Sequence, residues 1–485
     1  MGNAFGMAPH HDVTYTRVSK IGREIAIMAY AHTLAGNPHW LPANPPSVLN
    51  DIPGSRGLPF VGNTFAVLKD PLGFTGKMVA KYGPVYRNRT FGGDSVVLLG
   101  PEANELVLFD KEKNFSSEQG WGPILNLVFP RGLMLMDFEK HRADRKALSV
   151  AFKPEPMRHY AAELNAGIAA QVGNWGDRPQ PFYRAIKALS LDLAATSFLG
   201  VPLGPEASKI NQAFVDEVQA SVSPVRTPLP GTSMRKGVKA REYLVDYFTR
   251  EIPRRREGEG QDFFSQFCRA TDESGALLAD DAIVDHMNFL MMAAHDTITS
   301  SATSLVMLLG RHVEWQDRLR TEIQSLGSND GGVPYEQLDR LVETEWAFKE
   351  ALRLMPPVPS IPRRALRDFS FGGYHIPAGT HVGVNTAYTH MMPEHWPDPA
   401  RFDPERFSPE RSKGRHRFAW VPFGGGAHMC IGLHFATMQI RILMAHLLSR
   451  YRIELEPGAG TDWQIFPIPQ PKDGLPVRFV PLSAA

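Results

Sequence analysis

Cysteine is almost absent. The 485 residues contain two, Cys268 and Cys430. That excludes a disulfide framework and a cysteine-rich zinc or iron–sulfur site, and it fits a reducing compartment. Long apolar runs are also missing. A membrane span needs about 20 consecutive apolar residues, whereas the best N-terminal candidate, residues 25–36, is short and interrupted by His32 and Thr33. No basic stretch followed by an apolar core and a small-residue cleavage site precedes it. The sequence therefore reads as soluble and cytoplasmic, with residues 21–35 a short helix lying on the body or peripherally on a membrane surface. Neither sign of charge is in excess: 52 Lys and Arg face 51 Asp and Glu, a net +1. Nothing in bulk charge points to nucleic acid or an acidic partner. No internal repeat or low-complexity tract occurs, because the 40 prolines and 42 glycines are scattered.

What is present is mostly helix. Residues 1–45 read as an extension and 46–485 as one domain, mainly α with a small β region. Residues 74–82 predict a helix, and 85–91 with 94–99 a hairpin. Residues 101–109 predict a further helix. Residues 116–136 show no clean period and read as a long apolar loop covering something. From residue 138 to about 260 the pattern is helix after helix. Residues 280–312 form the longest helical run, with an apolar stripe through Ile283, Met287, Leu290, Met291, Ala294, Ile298, Leu305 and Leu308. Residues 313–326 and 335–354 read as two more helices. Short strands are expected at 364–371, 375–376 and 381–385, and at 453–455 and 477–480, so that both ends of the chain build the β part.

The stretch Phe423-Gly424-Gly425-Gly426-Ala427-His428-Met429-Cys430-Ile431-Gly432 carries the chemistry. Consecutive glycines are unfavourable inside a helix or strand, so this is a tight loop that approaches something closely. An apolar helical run, 433–448, follows. Cys430 thus lies just before a helix N-terminus, whose partial positive charge favours a thiolate. A thiolate in such a loop is a plausible axial ligand for haem iron. Three other groupings stand out. Glu350 and Arg353 share a helix face at i, i+3 and can pair. Asp296 and Thr297 sit mid-helix, where both residue types compete for backbone hydrogen bonds. His141 and Arg145, at i, i+4, suit recognition of an anion. Cys268 has no glycine loop or histidine pair and reads as a small buried hydrophobe.

Together, in this order, these motifs resemble the cytochrome P450 family. Phe423, Gly426, Cys430 and Gly432 match its haem-binding signature, and over residues 50–480 the chain is similar to the branch of retinoic-acid hydroxylases and sterol demethylases. The resemblance implies haem b with Cys430 as metal ligand and Phe423 and Gly424 in the binding loop. His141, Arg145, His428 and Arg363 would meet the propionates, with Arg364 as the alternative if the strand slips by one. It implies a structural brace of Glu350, Arg353 and Arg406. It implies that Asp296 and Thr297 both face the oxygen-binding side and deliver protons there. One departure is Ala294, where glycine is common; its methyl narrows the groove. His295 is expected to point away, as a packing or water-bridging residue.

The implied reaction is insertion of one oxygen atom from O2 into a C–H bond of a terpenoid, retinoid, steroid or fatty acid. Substrate would be lined by Phe289, Met292, Ala293, Val358, Ile361 and Phe466. No second redox domain fits in the chain, so electrons come from a ferredoxin or flavodoxin with its reductase. That partner would dock on a monomer near Arg142, Lys146, Lys413, Arg415 and Arg417. Arg226 would be a solvated loop arginine able to pair a substrate carboxylate. The alternatives are a peroxide-driven peroxygenase and a non-catalytic haem-binding protein. Neither would need an acid–alcohol pair.

Overall fold

The computed structural model describes residues 39–482, apart from positions 43, 92, 224, 328 and 329. The expected short helix at 21–35 lies outside them. The described part of the N-terminal extension packs on the body, where Trp40 Nε1 donates to Glu118 at 3.0 Å.

A six-stranded sheet forms one side of the molecule. Its strands are β1 (Gly54–Ser55), β2 (Val85–Thr90), β3 (Gly93–Leu98), β4 (Phe115–Ser116), β5 (Ile361–Ala365) and β6 (His381–Val384). Their order is β1-β2-β3-β6-β5-β4. β2 and β3 are the expected hairpin, with Val85 opposite Leu98. The late strands β5 and β6 insert beside β3, so two distant parts of the chain make one sheet. The C-terminal strands Tyr451–Leu455 and Pro476–Pro481 do not join it. They form a separate sheet with Gln180–Pro181, which corrects the expectation of one β region.

Eight helices matter for the site: α1 (Glu118–Leu125), α2 (Phe138–Leu148), α3 (Phe182–Ser197), α4 (Pro205–Ser221), α5 (Ser233–Glu257), α6 (Asp280–Arg311), α7 (Val342–Leu354) and α8 (Leu433–Arg450). With 32 residues, α6 is about 48 Å long at the usual rise per residue. Asp280 and Asp281 open it and Arg311 closes it, as the helix dipole favours. Its second half is buried although rich in hydroxyls. Thr299 and Thr303 bond back to the His295 and Thr299 carbonyls at 2.8 and 2.7 Å, so those polar groups are satisfied inside the helix. The main core packs around α6 and α8.

Two local expectations fail for physical reasons. The 116–136 loop contains α1, hidden from periodicity by Gly120, Gly122 and Pro123. A Cβ on Gly120 would lie 2.6 Å from the Pro362 carbonyl oxygen, and one on Gly122 would meet the Trp40 ring. These glycines let α1 lie directly on β5 and under the N-terminal segment. The run at 335–354 is also not one helix: a 3-10 turn, Tyr335–Arg340, breaks before α7. Among the described residues no helix is long and apolar enough to cross a membrane.

Candidate active site

The loop at 423–432 is shaped by two left-handed glycines, Gly424 (φ 71°) and Gly426 (φ 62°). At Gly426 a Cβ would sit 2.1 Å from the Leu108 carbonyl oxygen, so the loop presses on neighbouring backbone and excludes a side chain. The Cys430 N–H donates to the Phe423 carbonyl at 2.9 Å, closing the loop. Gly432 caps α8, and its N–H points at the Cys430 sulfur.

Cys430 opens onto an internal cavity of about 300 Å³. Protein surrounds it on the other sides, and this burial pushes the thiol up from its ordinary value; the Gly432 N–H and Arg145 pull the other way but do not prevail. The helix terminus thus acts against the burial of the same sulfur. A metal ion would hold it as a thiolate, since a coordinating thiol is deprotonated outright.

At one edge of the cavity four nitrogen-bearing side chains converge. The His141 and His428 rings lie 3.9 Å apart between centroids, tilted by 34°. Arg145 and Arg363 line the same wall. Burial first, then Arg145 and Arg363, pushes His141 down to about 4; burial, then Arg363 and His141, pushes His428 down to about 2. Burial also lowers Arg363 to about 10. His141 Nε2 is buried without a hydrogen-bond partner, and among the described residues neither guanidinium is ion-paired. Arg363 Nη1 donates to the Pro362 carbonyl at 2.9 Å; the other donors crowded here lack an acceptor and fit a bound dianion. Two carboxylates on a flat group whose metal reaches Cys430 meet that requirement, so a haem fits this donor set. The pleat of β5 decides between the two arginines: Arg363 faces the cavity, whereas Arg364 turns to the other side, bonding His381 and, at 2.7 Å, the Pro42 carbonyl.

Glu350, Arg353 and Arg406 come together out of solvent. Arg353 donates to both Glu350 oxygens, at 2.7 and 2.8 Å. Arg406 Nε reaches the same carboxylate at 3.3 Å. Arg353 also donates to the His390 carbonyl at 2.8 Å, and His390 Nε2 accepts the Val421 N–H at 3.0 Å. The brace thereby runs through His390 to the segment entering the cysteine loop. His390 was not singled out from sequence, because a lone histidine before two methionines carries no motif.

Across the cavity, Thr297 lines the wall and its hydroxyl donates to the Ala293 carbonyl at 2.8 Å. Asp296 does not join it. Successive helical residues point about 100° apart, and Asp296 turns to α3, where Lys187 Nζ reaches it at 3.2 Å. Of the expected substrate contacts, Phe289, Ala293, Val358 and Ile361 line the cavity. Met292 points sideways into the cluster of α1 and α5, and Phe466 is half exposed in the turn between two short strands. Trp121 of α1, Leu133 and Met134 complete the apolar wall; all three belong to the 116–136 stretch expected to cover something. Arg226 is neither solvated nor in the cavity. It is buried, donating to the Ser221 and Ile124 carbonyls at 2.6 and 2.7 Å, and it ties the α4–α5 connection to α1. Cys268 is buried, its thiol pushed up to about 12 by burial, and is not part of the site.

Comparison with known proteins agrees with this geometry. The family model described as Cytochrome P450 matches residues 52–466. A putative cytochrome P450 136 of Mycobacterium tuberculosis is 37% identical over 454 residues, covering 90% of this chain and 91% of its own length. A putative cytochrome P450 120 of Synechocystis is 30% identical over 442 residues, covering 89% and 98%. Among solved structures, the cyanobacterial CYP120A1 with retinoic acid bound superposes with a TM-score of 0.81 at 30% identity, covering 89% of this chain and 99% of that one.

Proposed function

The chain belongs to the cytochrome P450 family, and from that premise we propose that it oxidises an uncharged isoprenoid-sized molecule with electrons from a separate ferredoxin or flavodoxin. The enzyme is an oxidoreductase of the haem-thiolate monooxygenase class, and its cofactor is haem b. When bound, haem supplies the activation of O2 and the oxidation of a C–H bond. The chain's own residues do the rest. Cys430 would hold the iron, and His141, Arg145, Arg363 and His428 would hold the propionates. Thr297 Oγ1 is a polar atom on the wall opposite, able to exchange its bond to the Ala293 carbonyl for one to a substrate or a water. Asp296, paired with Lys187, keeps a proton source behind that wall.

The observation that carries the substrate class is the cavity wall away from the cysteine. Trp121, Leu133, Met134, Phe289, Leu290 and Val358 make it apolar. Burying an unpaired carboxylate there costs several kcal/mol, about the stability of a whole binding interaction. Binding of retinoic acid by CYP120A1 supports an isoprenoid scaffold of this size. Titrating the ferric enzyme with matched pairs, such as retinol against retinoic acid, tests the reading through the spin-state shift of the Soret band. Tighter binding of the neutral partner is expected; a tenfold preference for the acid sinks it.

For the redox partner, the basic docking face is smaller than the sequence suggests. Arg142 is paired with Glu139 and Lys146 with Glu273, each at 3.0 Å. Arg415 is half buried against Trp396. Lys413 and Arg417 remain as exposed cations beside the cysteine loop.

A further inference from the structure

Behind the wall that carries Thr297 lies a second cavity, between α3, α6 and α8, of about 10 Å³. That is the room one water molecule needs, provided polar partners face it. Two do. His295 of α6 is 3% exposed, and its Nε2 has no hydrogen-bond partner. Gln439 of α8 is 7% exposed and makes no side-chain hydrogen bond to a described residue. Both border this small space. Ala294, Phe435 and Gln439 also line the large cavity, so the two spaces adjoin. On its other side His295 faces a charged pair. Its Nδ1 lies 3.4 Å from Asp296 Oδ1, which Lys187 Nζ approaches at 3.2 Å, and the Lys187 side chain is 31% exposed.

We infer that His295 Nε2 and the Gln439 amide hold one water in this cavity, and that the His295 ring relays protons from the Lys187–Asp296 pair through that water to the large cavity. The proton balance closes. Solvent supplies a proton through Lys187 and Asp296, an N–H bond forms at Nδ1, and the N–H bond at Nε2 breaks as its proton passes to the water. The ring is neutral before and after, with its tautomer exchanged, and a flip of the ring restores the starting arrangement before the next proton passes. A neutral resting ring agrees with its surroundings: burial pushes His295 down to about 4, Asp296 opposing and Lys187 adding to the effect. The side chain thus offers one donor and one acceptor, as a relay requires. The relay rests on the monooxygenase reading, whereas the water site does not.

A high-resolution crystal structure of the ferric holoenzyme tests the site, and two variants test the relay. An ordered water between His295 Nε2 and Gln439 is expected in the native enzyme and in His295→Gln, and not in Gln439→Leu. His295→Gln keeps a donor to the water but cannot exchange tautomers. It is expected to raise peroxide released per electron pair roughly tenfold, less than the about 10²–10⁴ that a proton-transfer group contributes to a rate because the yield saturates at one peroxide per pair, and to enlarge the solvent deuterium isotope effect. A dry cavity in the native enzyme overturns the inference, as does His295→Gln with native peroxide yield and isotope effect. If instead the native enzyme lacks the thiolate carbon monoxide band, the monooxygenase reading falls and the water site is judged by the crystal structure alone.

Discussion

Glu217 shows what a single buried carboxyl can do to this protein. It is fully buried on α4, and neither of its oxygens has a hydrogen-bond partner. Burial pushes its pKa up to about 8; Arg241 on α5 lowers it and Asp285 on α6 raises it further. Between the ordinary carboxylate value and about 8, the folded protein keeps a proton that the unfolded chain has released. Stability therefore falls as pH rises through that window. Glu217→Gln removes this dependence. Thermal unfolding should show the variant gaining on the native protein between pH 5 and 8, by on the order of 3 kcal/mol; parallel curves would contradict the account. Glu350 is buried too but satisfied. Glu350→Ala leaves Arg353 and Arg406 as buried cations without their anion, a change that typically costs about 3–5 kcal/mol. The expected outcome is loss of haem incorporation, read as the haem-to-protein ratio; a full haem complement in that variant would contradict the brace.

At the scale of elements, α1 and β5 are joined through Gly120. Its missing side chain admits the Pro362 carbonyl and the Arg363 backbone, so the cation that faces the cavity is set by this contact. Gly120→Ala should destabilise by about 1–3 kcal/mol and weaken haem retention; chemical denaturation of the holoenzyme checks both, and a neutral effect would mean that the contact is loose. The same helix shows where sequence reasoning stops. The long α6 was legible because 32 residues repeat one apolar stripe, and the cysteine loop because glycine spacing encodes a backbone shape. α1 was not, since its glycines serve contacts with β5 and Trp40 that no local pattern reveals. Asp296 and Thr297 were legible as residues but not in their directions. Adjacent helical positions diverge, and the side that meets Lys187 depends on where α3 lies. Arg226 looked like a solvated loop residue because the carbonyls it binds belong to the end of α4 and to α1, far apart in sequence.

Across the whole molecule, the sheet assembled from residues 54–116 and 361–384 and the helices around α6 enclose one large cavity. Cys430 lies at one side of it, the nitrogen-bearing side chains of His141, Arg145, Arg363 and His428 at an edge, and an apolar wall opposite. The face outside the cysteine loop would meet the electron donor. Reversing charge at Lys413 and Arg417 together should slow reduction by an acidic ferredoxin several-fold at low salt and leave substrate affinity unchanged, since rim charges act mainly on association; stopped-flow reduction is the check. All of this turns on Cys430 holding haem iron as a thiolate, and the carbon monoxide difference spectrum of the reduced holoenzyme reports that bond. A strongly red-shifted Soret band, absent in Cys430→Ala, is the expected result; a band at the unshifted position of histidine-ligated haem, or one that survives in Cys430→Ala, would contradict it.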